Sequence, residues 1–287
     1  MIPTLELMRP NSVREALELL KSNSQNNRVL AGGTDVITGI QMGSRRFSDI
    51  EQLIDINQIP EMKKIEETDD QIIIGAGVTF SELMDDAIAQ HKLPLLTKAA
   101  STVGNLQIRN RATISGNFIN NAPCADSVPP LLVYDAAIKI ESVNGDRIVD
   151  LEQFLTGTYK TLIQADELVT QIIIPKTATD LKGDFYKLGR RKSVAISRIS
   201  LAVLIGLENS IVKEIKIAAG AVTPIGERFP ELEAWAKGKN ISDDLLKSLS
   251  IKMAEKIIKG NGLRWSSAYK VPVVQQAFYQ LLKKVTD

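Results

Sequence analysis

TVGNLQIRNRATISGNFINNAPCADSVP, residues Thr102 to Pro129, crowds small, amide and hydroxyl side chains into one tract that holds no catalytic acid–base pair. Such a composition builds a surface for holding a ligand. Ser115, Gly116 and Asn117 can bring backbone N–H groups close to anionic oxygens, because glycine leaves room for the approach. Asp126, the next charged residue, is a candidate acceptor for ribose hydroxyls. Taken alone, the same residues also describe a Gly-Asn turn between two strands.

A second loop shifts the balance toward a ligand. Arg28-Val29-Leu30 reads as a strand, Ala31-Gly32-Gly33-Thr34-Asp35 follows, and Val36, Ile37 and Ile40 then fall on one helical face. Strand, glycine loop and helix start together present free amides and a helix dipole to phosphate oxygens without needing a lysine. The loop lacks the Gly-Lys-Ser/Thr ending of a P-loop and the three spaced glycines of a Rossmann turn. Gly75-Ala76-Gly77 imitates half of the latter, but Phe80 stands where the third glycine belongs, and Thr79 to Glu82 is better read as a capping box.

AGGTD at 31–35, QIRNRATISGN at 107–117 and the Asp126 that closes APCAD resemble the FAD-binding (medium) subunits of the xanthine dehydrogenase family of molybdenum hydroxylases. The resemblance runs nearly end to end. It implies an α+β chain with a vanillyl-alcohol-oxidase-type (PCMH-type) FAD-binding domain in two subdomains, then a smaller domain of a three-stranded antiparallel sheet and helices. It also implies flavin contacts at Val29, Leu30, Ala31, Gly32, Gly33, Thr34, Asp35 and Val36, and at Thr113, Ile114, Ser115, Gly116, Asn117 and Asp126. By the same resemblance Val103 lies near the adenine, while Leu168 and Lys187 approach the flavin ring, where Lys187 would stabilise negative charge near N1. An exposed strand lysine is the alternative for Lys187. The family commonly carries two glycines after Thr-Ile, and this chain has Ser115-Gly116. Branched side chains at Gly32 and Gly116 are expected to abolish flavin retention with the fold intact, and Lys187→Ala to keep FAD with an altered potential.

Composition limits the chemistry independently. One cysteine, Cys124, and one histidine, His91, exclude a four-thiolate cluster or a histidine-based metal site on this chain. Cys124 reads as a small buried hydrophobe in preference to a redox thiol, and His91 as a surface or capping residue. With 35 Lys and Arg against 34 Asp and Glu, a net charge of +1 gives no electrostatic case for nucleic acid. MIPTLELMRP has no apolar signal region and no run approaches a membrane span, so a cytoplasmic location is expected.

Along the 287 residues, the expected domains are 1–176 for FAD, with subdomains of about 1–56 and 57–176, and 183–287 for the remainder. Ser12 to Glu15 reads as a capping box opening a helix with Ala16, Leu17 and Leu20 inward. Ile54, Ile56, Ile65 and Ile72 to Ile74 suggest short strands, with helices over Leu83–Ile88 and Leu95–Val103. Asn144-Gly145 between two apolar runs predicts a hairpin, and Leu168 to Ile174 a strand ending at Pro175. The polar stretch 176–182 is the expected linker. Phe185–Leu188, Ile196–Leu207 and Ile211–Ala219 predict three antiparallel strands, followed by helices from Ser242 to about Lys259 and from Val273 to Val285. Trp265 reads as core or interface packing, and Arg190, Arg191 and Lys192 as a solvated turn or a dinucleotide contact. Arg109 and Arg111 admit three roles: pairing within the chain, facing a partner, or touching the pyrophosphate.

The resemblance implies electron transfer through FAD. Iron–sulfur clusters on a small partner subunit would deliver electrons, a molybdenum-cofactor subunit would oxidise an N-heterocycle such as a purine, and NAD⁺ would be the acceptor. A non-catalytic assembly or maturation factor is one alternative. A self-contained flavin reductase is another, and would need a proton donor such as Ser115 or Tyr186.

Overall fold

Ile72 and Ile74 are fully buried and Ile73 only half so, the alternation of a strand whose two faces meet different surroundings. That strand lies second in the larger amino-terminal sheet. The computed structural model describes residues 4–22, 26–178, 181–191, 194–262 and 267–287. In chain order it begins with β1 (Glu6–Met8), α1 (Val13–Ser22), β2 (Asn27–Leu30), α2 (Val36–Gln41) and β3 (Gln52–Asp55), and the three strands form a parallel sheet in the order β1-β3-β2. α1 buries Ala16, Leu17 and Leu20 as its pattern requires. Its capping box is half formed: the Ser12 hydroxyl accepts from the Glu15 N–H at 3.2 Å, but the Glu15 carboxylate reaches back to the Asn11 N–H at 2.8 Å.

The next unit carries β4 (Ile65–Glu67) and β5 (Gln71–Gly75), then six short helices: α3 (Phe80–Asp85), α4 (Ala87–Lys92), α5 (Pro94–Ser101), α6 (Leu106–Arg109), α7 (Ile114–Asn120) and α8 (Val128–Val133). It ends with β6 (Ala137–Ser142), β7 (Gly145–Asp150), α9 (Leu151–Phe154), β8 (Leu155–Gly157), β9 (Lys160–Thr161) and β10 (Leu168–Pro175). β4-β5-β10-β6-β7 make a five-stranded antiparallel sheet, and β8 and β9 pair separately. The expected hairpin is present, but its turn is centred one residue early. Ser142 pairs with Gly145, so Val143 and Asn144 are the loop. Gly145 takes φ 139 inside the strand pair.

The carboxy-terminal part holds β11 (Lys182–Gly189), β12 (Ser197–Glu208), β13 (Ile211–Gly220) and β14 (Glu227–Arg228), then α10 (Pro230–Ala236), α11 (Asp243–Asn261) and α12 (Ser267–Thr286). The three expected strands pair antiparallel in sequence order, and the two-residue β14 adds a fourth. α12 starts six residues earlier than the sequence suggests. Pro272 lies inside it and gives up one helical hydrogen bond near the start without ending the helix. Trp265 lies outside the described residues. Along β12, Ile199, Leu201, Val203 and Ile205 pack with the three terminal helices, whereas Ala202 and Leu204 join the amino-terminal core.

Candidate cofactor site

β2 delivers the first glycine loop and α2 leaves it. Asn57 holds the loop's entry, donating from Nδ2 to the Ala31 carbonyl at 2.6 Å and to Asp55 Oδ1 at 2.7 Å. Among the described residues, no hydrogen-bond acceptor is found for the N–H groups of Gly32, Gly33, Thr34 and Asp35. Gly33 turns the chain at φ 73, the left-handed region that glycine enters without cost. Gly32 is required for a different reason. A Cβ there would lie 2.1 Å from the Arg111 carbonyl oxygen and 2.7 Å from Ala112 Cα, so the two ligand-facing loops touch backbone to backbone. A branched residue at Gly32 therefore disrupts the fold itself, which corrects the expectation that only flavin retention would suffer.

The second loop is a helix start, not a turn between strands. Thr113 caps α7, its Oγ1 accepting from the Gly116 N–H at 3.0 Å while its carbonyl accepts from the Asn117 N–H at 3.1 Å. Two of the three amides expected to face a ligand are thus engaged inside the helix. The loop is pinned to the preceding capping-box segment: Phe80 N–H donates to the Ala112 carbonyl at 3.0 Å and Ile114 N–H to the Val78 carbonyl at 3.1 Å. The predicted box itself is complete, with Glu82 accepting from the Thr79 N–H and Thr79 from the Glu82 N–H. Ser115 is only 2% exposed, and its hydroxyl has no hydrogen-bond partner among the described residues. An unpaired buried hydroxyl is costly, and this one lies in the wall of a cavity.

That cavity, about 570 Å³, lies between the two loops and is of the size that cofactors occupy. It brings together Val29, Ala31, Gly32, Gly33, Thr34, Asp35 and Val36 with Thr113, Ser115, Gly116 and Asn117, and with Val103 and Leu168. Leu30 and Ile114 turn into the core behind it. Asp126 and Lys187 are not in its wall. Lys187 Nζ lies 2.6 Å from Asp126 Oδ2 and donates to the Thr102 carbonyl at 2.9 Å, and the Ser197 hydroxyl donates to the other Asp126 oxygen. Burial pushes the Asp126 carboxyl above its ordinary range against the pull of Lys187 and Ser197. With both residues nearly buried, these oxygens form an internal ion pair, and Lys187 is no free strand lysine.

Other expectations resolve locally. Arg109 donates to the Val103 carbonyl at 3.0 Å, so it props up the cavity wall at Val103, and Arg111 is exposed. Arg191 folds back onto the Val194 carbonyl, and Lys192 lies outside the described residues. Cys124 is half-buried, with its thiol pushed up by burial and by the charge of Asp126, which suits packing over redox work. His91 is exposed in the last turn of α4. Sequence reasoning missed Arg46, Phe47, Asn120, Tyr159 and Lys160, which also line the cavity. Asn120 lies in the Thr102–Pro129 tract, and only the fold brings the other four to it.

Residues 3–177 match the family described as the FAD binding domain in molybdopterin dehydrogenase, and residues 184–285 match the CO dehydrogenase flavoprotein C-terminal domain. The chain belongs to the FAD-binding medium subunits of the molybdenum hydroxylase family. It is 32% identical to a xanthine dehydrogenase FAD-binding subunit of Escherichia coli O157:H7, over 93% of this chain and 91% of that one. It is 31% identical to a glyceraldehyde dehydrogenase medium chain of Sulfolobus acidocaldarius, over 99% of both. Among solved structures, a carbon monoxide dehydrogenase from Hydrogenophaga pseudoflava matches at 30% identity with a TM-score of 0.92, covering 99% of this chain and 98% of that one. Membership fixes FAD as the ligand class, and the donor set fits it. The loop amides of Gly32 to Asp35 suit a pyrophosphate, the Ser115 hydroxyl is an unpaired donor at the wall, and the absent Cβ atoms let both loops close in.

Proposed function

We propose that this chain holds FAD between its two loops and serves as the electron-transfer subunit of a multi-subunit molybdenum dehydrogenase. What supports the reading most directly is the cavity wall. Unpaired amides at Gly32 to Asp35 and the orphan hydroxyl of Ser115 converge there with the apolar side chains of Val103 and Leu168. In this reading the amides bind the pyrophosphate, Val103 shields the adenine, Leu168 borders the flavin ring, and Arg109 fixes Val103 through its carbonyl. Bound FAD would supply acceptance of single electrons and delivery of a pair. Electrons enter from partner subunits bearing iron–sulfur clusters and the molybdenum cofactor, a reading supported by the family match and by relatives named as medium chains. The CO dehydrogenase structure to which the chain is similar is described as lacking the Mo-pyranopterin moiety of its molybdenum cofactor.

The finer reading is NAD⁺ as acceptor and a purine as the substrate oxidised on the partner. Its support is the sequence resemblance, including the similarity to xanthine and caffeine dehydrogenase subunits. Other relatives are named for carbon monoxide and nicotinate. The first test adds FAD to the purified chain, desalts it, records the visible spectrum, and then adds NADH anaerobically. Retained flavin that NADH bleaches is the expected result. Retained flavin that NADH leaves oxidised removes NAD⁺, and no retained flavin in the assembled complex removes the binding site itself.

A further inference from the structure

Arg46 and Tyr159 belong to no motif, yet both line the cavity and both are exposed, which places them at its rim. They come from different walls. Arg46 sits in the single 3₁₀ turn Arg45–Phe47 that follows α2, and Tyr159 in the turn between β8 and β9. The Arg46 guanidinium carbon lies 3.9 Å from the centroid of the Tyr159 ring, within stacking range. Its Nη2 donates to Asn120 Oδ1, at the end of α7, at 2.5 Å. One side chain thus joins the parallel-sheet wall, α7 and the β8–β9 hairpin around the opening.

The backbone under Tyr159 supplies a second observation. Its φ is 59, a left-handed conformation that a bulky aromatic residue avoids and keeps only where its surroundings over-determine it. Here they do so from two sides. Tyr159 N–H donates to the Asn121 carbonyl at 2.9 Å, and buried Asn121 donates from Nδ2 to the carbonyls of Gly157 at 2.8 Å and Lys160 at 3.0 Å. The neighbouring Thr158 hydroxyl donates to the Pro224 carbonyl at 2.8 Å. The turn is held in a strained shape that keeps the ring against Arg46. α7 therefore carries the Thr113–Ser115 cradle at one end and supports this pair at the other.

We propose that Arg46 and Tyr159 form a clasp across the cavity mouth that sets how long bound FAD stays; this rests on the flavin-binding reading above. A stacked guanidinium at an exposed rim is a reversible contact that must open for a long ligand to pass in either direction, so it slows escape and entry alike. Both are positioning residues and touch no reacting atom. The test is timed exchange of bound FAD against radiolabelled FAD in the full chain, purified with the subunits that accompany it, together with the association rate and the apoprotein melting temperature. Arg46→Gln and Tyr159→Leu should each speed both exchange and association about tenfold, equivalent to about 1.4 kcal/mol, with melting unchanged. Tyr159→Phe keeps the ring and should exchange at the wild-type rate. The double variant should be no faster than either single, because each removes the same contact. Wild-type exchange rates in Arg46→Gln and Tyr159→Leu overturn the clasp while leaving flavin binding intact. Slower association with unchanged exchange overturns it too, in favour of charge steering. A wild type that retains no FAD sinks both readings.

Discussion

Gly32 and Ser115 face the same cavity and should respond to substitution in opposite ways. At Gly32 a Cβ meets the Arg111 carbonyl at 2.1 Å, a backbone atom that cannot swing aside. Gly32→Ala should therefore lower the stability of the apoprotein by about 1–3 kcal/mol, the usual cost of overpacking. At Ser115 the unpaired hydroxyl is itself a cost in the apoprotein. Ser115→Ala should leave apoprotein stability unchanged or raise it by up to about 1 kcal/mol, while weakening FAD binding by about tenfold. Urea unfolding of apoprotein beside flavin titration checks both signs, and a Ser115→Ala apoprotein less stable than wild type would remove the orphan hydroxyl from the site. The glycine loop and the Ser115-Gly116 departure were both legible as residues. What could not be read was that Gly32 serves loop-to-loop packing, since Arg111 lies 79 positions away in the chain.

At the scale of elements, the Lys187–Asp126 pair joins β11 to the segment between α7 and α8, while Thr102 and Ser197 bring in the end of α5 and the start of β12. Lys187→Met leaves the Asp126 carboxylate buried without its counter-charge, and should cost about 3–5 kcal/mol at neutral pH. Adding Asp126→Asn should recover much of that loss. Burial already raises the Asp126 carboxyl, so its contribution is fully present below the unfolded value near 3.9 and is lost as pH rises through the folded one. Without Lys187 the rise is larger. The melting deficit of Lys187→Met should hence shrink between pH 7.5 and pH 5, and the double variant should lose that dependence. A deficit that stays constant across this range would mean that the pair is not the coupled unit described. Helix starts such as Thr79 to Glu82 were legible because a cap is a local contract among four residues. The ion pair was not, since the partners are 61 positions apart and nothing in either neighbourhood names the other.

For the whole molecule the decisive layer is the β11–β14 sheet, because both of its faces are buried against different cores. Ile199, Leu201, Val203 and Ile205 meet the terminal helices, while Phe185, Ala202, Leu204 and Ala218 belong to the same cluster as the amino-terminal helices and sheets. Strand alternation assigns the two faces, but a sequence with apolar residues at both parities shows only that β12 is covered twice, not by what. Charged ties follow the same seam: Asp184 on β11 binds Lys98 of α5 and Lys284 of α12. Burial pulls the Asp184 carboxyl up, but Lys284, Lys98 and its own backbone contact outweigh it and hold it below the usual range. A sheet shared in this way should not behave as a separable unit, so the division of the chain near residue 180 is one of sequence pattern more than of stability. The fragment 183–287 made alone would present Phe185, Ala202, Leu204 and Ala218 to water. It is expected to bind a hydrophobic dye and aggregate, and the full chain to melt in one calorimetric transition whose van't Hoff and calorimetric enthalpies agree. A soluble, cooperatively folding 183–287 fragment, together with two resolved transitions in the full chain, would show that the seam is an interface between independent domains.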